Sequence, residues 1–199
     1  MANSVSRTHA KVRGLVITAM LAAVSIVLAV TPLGFINIGF GLGVSATLMH
    51  IPVIVAALSQ GMGSGMGVGL VFGAYSCYSA FTTPTPANAV FQNPLVSILP
   101  RLLIGPAAYF SCRLMMRLFP QRKKLAWGVG AAAGSLANTV FVVLAMLIVQ
   151  PSIFIGEGES ALVALKAIGV LIATNGVAEC VIAVILVMAL MGALSRVKK

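Results

Sequence analysis

Along residues 14–194 the chain repeatedly enters uncharged, apolar runs, parted by short stretches rich in glycine, proline and polar residues. A helix of about 20 apolar residues covers a hydrocarbon core about 30 Å thick. Six candidate spans follow, at about 14–31, 44–59, 65–80, 94–118, 125–149 and 165–194. Six crossings need about 120 residues. Residues 1–199 are therefore expected to form a single integral membrane domain, an all-α bundle of six transmembrane helices. Composition points the same way, with 60% of residues hydrophobic, 8% charged and a mean hydropathy of +1.09, outside the range of soluble domains.

Basic residues set the orientation. Arg7, Lys11 and Arg13 precede the first span; Arg113, Arg117, Arg122, Lys123 and Lys124 surround the connection after the fourth; Arg196, Lys198 and Lys199 close the chain. With six spans all three groups fall on one side, which the positive-inside rule makes cytoplasmic, so both termini are expected there. The opposite connections carry no basic residue, and one carries Glu157 and Glu159. Four or five spans would scatter the cations. The basic start followed by an apolar run has the outline of a secretory signal, but the run is long enough to span and more spans follow, so it reads as a retained first helix. The net charge of +10 sits at the ends of apolar runs rather than on a soluble face, which argues against a nucleic-acid partner.

Against this background a few polar groups stand out. Arg101 lies in PLVSILPRLLIGP, about seven residues into the fourth span from the outer side, or roughly 10 Å deep. An arginine at a bilayer centre costs about 2.5–3.5 kcal/mol, so it is expected to face the bundle interior. Asn175 and Glu179 lie at similar depth on the sixth span, four residues apart and so on one helix face. Asn138 is near the middle of the fifth. These four groups form either an outward-facing polar pocket for a small solute or an Arg101–Glu179 ion pair that fixes packing. A guanidinium favours a carboxylate-bearing ligand. Lys166 reads equally as a polar contributor or a snorkelling interface residue.

Other features carry less. GMGSGMGVGLVFG lacks the lysine and the strand context of a phosphate loop. Its Gly65, Gly69 and Gly73 repeat every four residues, which suits close helix approach. Gly14, Thr18 and Ala22 form a small-residue ridge on the first span, with Ala19 and Ala23 beside it. Trp127 reads as an inner-interface anchor. Tyr75, Tyr78 and Phe81 could line a ligand, with core packing the plainer role. His50 has no companion ligands, and Cys77, Cys112 and Cys180 read as small buried hydrophobes. Three acidic residues and two histidines give little basis for catalysis or a metal site.

Taken together, ATLMHIPVIVAALSQGMGSGMGVGLVFG, NPLVSILPRLLIGPAAY and ANTVFVVLA resemble the substrate-binding S components of energy-coupling factor (ECF) vitamin importers, most of all the pantothenate type. The resemblance covers most of the chain. It implies a six-helix subunit, not itself an enzyme, in a prokaryotic plasma membrane. Such a subunit captures a micronutrient in an outward-facing pocket and delivers it by toppling within the bilayer. Pantothenate is favoured; riboflavin, folate or another vitamin remain possible, though scarce tryptophan disfavours large flat ligands. The expected partners are a transmembrane coupling protein and two cytoplasmic ATPases, which use the ATP and Mg; this chain is expected to carry no cofactor. The matching substrate positions are Asn37 in the first outer loop with Arg101, Asn138, Asn175 and Glu179, and Ala19 and Ala23 match the alanine pattern that meets the coupling protein. Competing classes are a lipid-modifying membrane enzyme, a non-transporting membrane subunit, and a secondary transporter, for which no inverted repeat is evident.

Overall fold

The computed structural model describes residues 2–37, 45–83, 89–153 and 172–197, together with residues 162, 166, 169 and 170. Helix α1, Ala2–Val30, ends just before Pro32, whose fixed φ and missing N–H stop the helical ladder. The chain then enters strand β1, Phe35–Asn37, paired antiparallel with β2, Ser45–Thr47. This short ribbon adds a β element to a chain expected to be helical throughout.

Helix α2, Ile51–Gln60, carries Pro52 in its first turn, where the missing donor costs nothing. All of Ile51–Ala57 is buried, so α2 is the bundle's central element. The expected span over 44–59 is therefore helical only from Ile51. Ten residues reach about 15 Å, half a hydrocarbon core. The apolar run hid this, because hydropathy does not separate a β2–turn–helix sequence from one helix. Gly61, at φ 108, turns the chain sharply into α3, Met62–Thr82. Ser25 Oγ donates to Met49 O at 2.8 Å and ties α1 to the turn before α2.

Asn93 caps a single turn, α4 (Pro94–Ser97), by accepting from Leu95 N at 2.9 Å. Helix α5, Leu99–Leu118, follows, then α6, Lys123–Val149. A five-residue π turn, Ile172–Gly176, leads into α7, Val177–Val197. Val53, Ile54, Val68, Ile104, Ala108, Ala131, Ala183 and Val187 interlock at the centre. Large apolar side chains such as Leu15, Phe110, Leu144, Ile148 and Ile185 instead face outward, as they must in a lipid solvent. Among the described residues four stretches are long and apolar enough to cross a bilayer: Lys11–Val30, Pro94–Leu118, Lys123–Val149 and Ile172–Arg196. Helix α3, with 21 residues, reaches roughly 30 Å but is diluted by glycine and serine.

That glycine content has a packing use. A Cβ at Gly65 would stand 2.6 Å from the Ala57 side chain, one at Gly73 would stand 2.7 Å from Ile98 Cα, and one at Gly69 would collide with the Arg101 carbonyl. The ridge expected from the four-residue spacing thus lets α3 lie directly on the α5 backbone at the level of Arg101.

Candidate functional site

The α3–α5 contact, the ribbon and α6 enclose a cavity of about 280 Å³. Its wall includes Thr47 of β2, Phe72, Tyr75, Ser76 and Ser79 of α3, Phe91, Arg101 of α5 and Asn138 of α6. Arg101 is 7% exposed. Its Nη1 donates to Val96 O at 2.7 Å, five residues back, and its guanidinium lies over the rings of Phe72 (5.4 Å) and Phe91 (4.9 Å). Cation–π contacts of this kind hold the charge without neutralising it. Among the described residues its buried Nε has no hydrogen-bond partner and no carboxylate pairs with it. Asn138 is also buried, and among the described residues its Oδ1 has no donor. The wall thus holds a cation without a paired carboxylate beside a buried amide, among mostly apolar side chains.

Glu179 is not on this wall. Its Oε1 accepts from Thr47 N at 2.8 Å and Thr47 Oγ1 at 2.6 Å, and its Oε2 accepts from Thr139 Oγ1 at 3.3 Å. Of the two arrangements open from sequence, the Arg101–Glu179 ion pair is not formed. The carboxylate instead anchors β2, and with it Thr47, against α6 and α7. Asn175 falls in the π turn, with a buried Oδ1 that has no partner among the described residues, and it too lies off the cavity wall. The expectation that it shares a face with Glu179 assumed unbroken α-helix, whereas the π turn runs to Gly176.

Asn37 ends β1 opposite Ser45; its side chain lies outside the described residues. Tyr75 lines the cavity, whereas Tyr78 and Phe81 are exposed. His50 is fully interior, and among the described residues neither ring nitrogen has a hydrogen-bond partner. Lys166 is exposed. Ala19 and Ala23 are exposed on α1, and Ala19 with Gly14, Thr18, Ala22, Gly63 and Gly67 lines a shallow groove between α1 and α3.

Sequence reasoning missed Thr47, Phe72, Phe91, Ser76 and Ser79. Phe91 sits in a segment legible only as a proline-rich break, and Thr47 in one legible only as apolar. The one available signal was the placement of Phe72, Tyr75, Ser76 and Ser79, which recur at three- and four-residue steps along α3 and so share a face.

Residues 13–191 match the family model described as "ECF transporter, substrate-specific component". The chain is 29% identical over 203 residues to a pantothenic acid transporter PanT of Lactococcus lactis subsp. cremoris, covering 94% of this chain and 96% of that one. It is 32% identical over 143 residues to a pantothenate transporter PanT of Leuconostoc mesenteroides, covering 69% and 70% respectively. Its fold is similar to that of the solved ThiT from Listeria monocytogenes, with a TM-score of 0.59 at 19% identity over 90% of this chain and 95% of that one.

Proposed function

Because the chain belongs to the substrate-specific components of ECF transporters, we propose that it captures pantothenate, or a vitamin of the same small carboxylate-bearing kind, in the cavity at Arg101. The observation that carries this reading is the buried guanidinium on a cavity wall, with one backbone acceptor, two aromatic rings and no counter-ion among the described residues. A buried charge left this way is costly unless a ligand completes it. The cavity, about 280 Å³, falls just below the usual range of ligand sites, about 300 to 1,000 Å³. That size favours a short acyl amide over riboflavin or folate. In the proposed pose Arg101 takes the carboxylate, while Asn138, Thr47, Ser76 and Ser79 meet hydroxyl and amide groups. Glu179 holds Thr47 and the ribbon over the ligand rather than touching it, and Asn37 and Asn175 are the further positions proposed to serve the substrate.

A membrane-embedded substrate-binding component, rather than an enzyme, is what the family describes, and such components work with a membrane coupling protein and ATPases. For this chain we place both termini and the basic ends of α5–α7 on the cytoplasmic side of a prokaryotic plasma membrane, with six crossings in which α2 and the ribbon share the second. Ala19 and Ala23, exposed on α1, are the proposed contact with the coupling protein. ATP and Mg would act in the partner ATPases, and delivery would follow by toppling of the loaded bundle.

The direct test is calorimetric titration of the purified chain with pantothenate and with pantothenol, which has an alcohol where pantothenate has its carboxylate. Pantothenate should bind at least a hundredfold more tightly, since charge-assisted hydrogen bonds contribute about 1.5–3 kcal/mol each. Equal affinity for the two would rule out the carboxylate role of Arg101.

A further inference from the structure

At the end of the bundle away from the cavity, the start of α6 and the end of α7 leave a groove of about 760 Å³. Lys123 and Lys124 on α6 and Arg196 on α7 line its mouth at the helix ends; Trp127, Met188, Ala189 and Gly192, a turn or more further along the helices, line the rest. Among the described residues no carboxylate side chain pairs with these cations. The chain has only three acidic residues, of which Glu179 is committed to Thr47 and Thr139, while Glu157 and Glu159 follow the far end of α6. Lys123, Lys124 and Arg196 are all exposed. The first turn of α6 adds the positive end of a 27-residue helix dipole.

Below the charges the groove is built to be open. A Cβ placed on Gly192 would meet nothing within 4 Å. The face of α7 that continues from it carries exposed Ile185 and Leu186, so the groove runs from a cationic mouth into a lipid-facing apolar surface. Trp127 is half-buried where the two meet, the depth at which an indole sits best. A soluble anion would use the mouth and leave the apolar slot empty. An acyl chain alone would leave the cations unused.

The geometry points to an anionic glycerophospholipid as the occupant, its phosphate held by Lys123, Lys124 and Arg196 and one acyl chain laid along the Ala189–Gly192 slot beside Trp127. This rests on the helices lying in a bilayer, and not on which vitamin the cavity takes. The site is separate from the α1–α3 groove carrying Ala19, so an anchoring lipid and a protein partner on that groove would not compete.

Trp127 is the only tryptophan in the chain, so its fluorescence reports this groove alone. The full chain would be reconstituted in equimolar phosphatidylglycerol and phosphatidylcholine, with quenching bromines on the acyl chains of one lipid or the other. The relative binding constant for phosphatidylglycerol should be about fivefold or more, the gain expected per basic residue near an anionic lipid surface. It should fall several-fold in K124Q and in R196Q and shrink with added salt. Gly192→Leu should abolish the preference with all three cations in place, since its side chain enters open space and fills the slot. Equal quenching by the two lipids in the unmodified chain overturns the site. A preference that survives Gly192→Leu also overturns it, because diffuse surface charge would then suffice. Quenching by neither lipid would instead overturn the bilayer placement itself.

Discussion

Replacing Arg101 by methionine separates a ligand-binding role from a structural one, because the two predict opposite balances. In the ligand-free protein the substitution removes the 2.7 Å charge-assisted bond from Nη1 to Val96 O, about 1.5–3 kcal/mol. It also removes the desolvated contacts to Phe72 and Phe91, about 2 kcal/mol each. Against that loss of about 5.5–7 kcal/mol, the apolar side chain no longer holds a cation at membrane depth, a relief of about 2.5–3.5 kcal/mol. The empty protein should therefore lose about 2–4.5 kcal/mol, and its melting temperature should fall by roughly 4–18 °C while it stays folded. Binding has no such compensation. Two charge-assisted bonds to the carboxylate disappear at about 1.5–3 kcal/mol each, so pantothenate affinity should fall by roughly 150-fold or more. Calorimetric titration gives the affinity. Thermal unfolding with and without saturating ligand gives the stability, and the ligand-induced rise in melting temperature should vanish in R101M. Affinity retained within tenfold, or collapse of the empty protein, would refute the reasoning: the first removes the carboxylate contact, the second makes Arg101 a structural ion.

Asn138→Asp sets a second anion on the wall that carries Arg101 and should weaken binding of a carboxylate ligand at least tenfold, measured by the same titration, with pantothenol affected less. Glu179→Gln keeps an acceptor for Thr47 but removes its charge, and charged hydrogen bonds are about twice as strong as neutral ones; hydrogen exchange at the Thr47 amide should speed up about fivefold while α6 and α7 keep their protection. Leucines at Ala19 and Ala23 together should leave pantothenate affinity unchanged, because both positions are exposed on α1 and remote from the cavity wall, and should abolish co-purification with the coupling protein and ATPases.

What could be read before any coordinates followed from solvent physics. A chain this apolar has to satisfy its backbone internally in lipid, and that fixes helices, their approximate number and the asymmetry of the basic ends. The cost of a cation at depth likewise marked Arg101 as interior, and four-residue glycine spacing marked where helices approach. Family membership was legible too, in HIP, LPRLLIG and NT taken together. None of this says which buried polar groups meet. Asn175 and Glu179 shared a face only on the assumption of an unbroken helix, and the π turn removes that assumption. Glu179 was expected either to join Arg101 in a pocket or to pair with it; the ion pair is not formed, and its carboxylate accepts from Thr47, 132 residues away in sequence, and from Thr139. Hydropathy counted 44–59 as one apolar run, whereas Ser45–Thr47 pairs with Phe35–Asn37 and the helix covers only Ile51–Gln60. Burial is a property of each residue and its solvent, so it is written locally; partnership is a property of pairs brought together by packing, and packing alone set the guanidinium over Phe72 and Phe91.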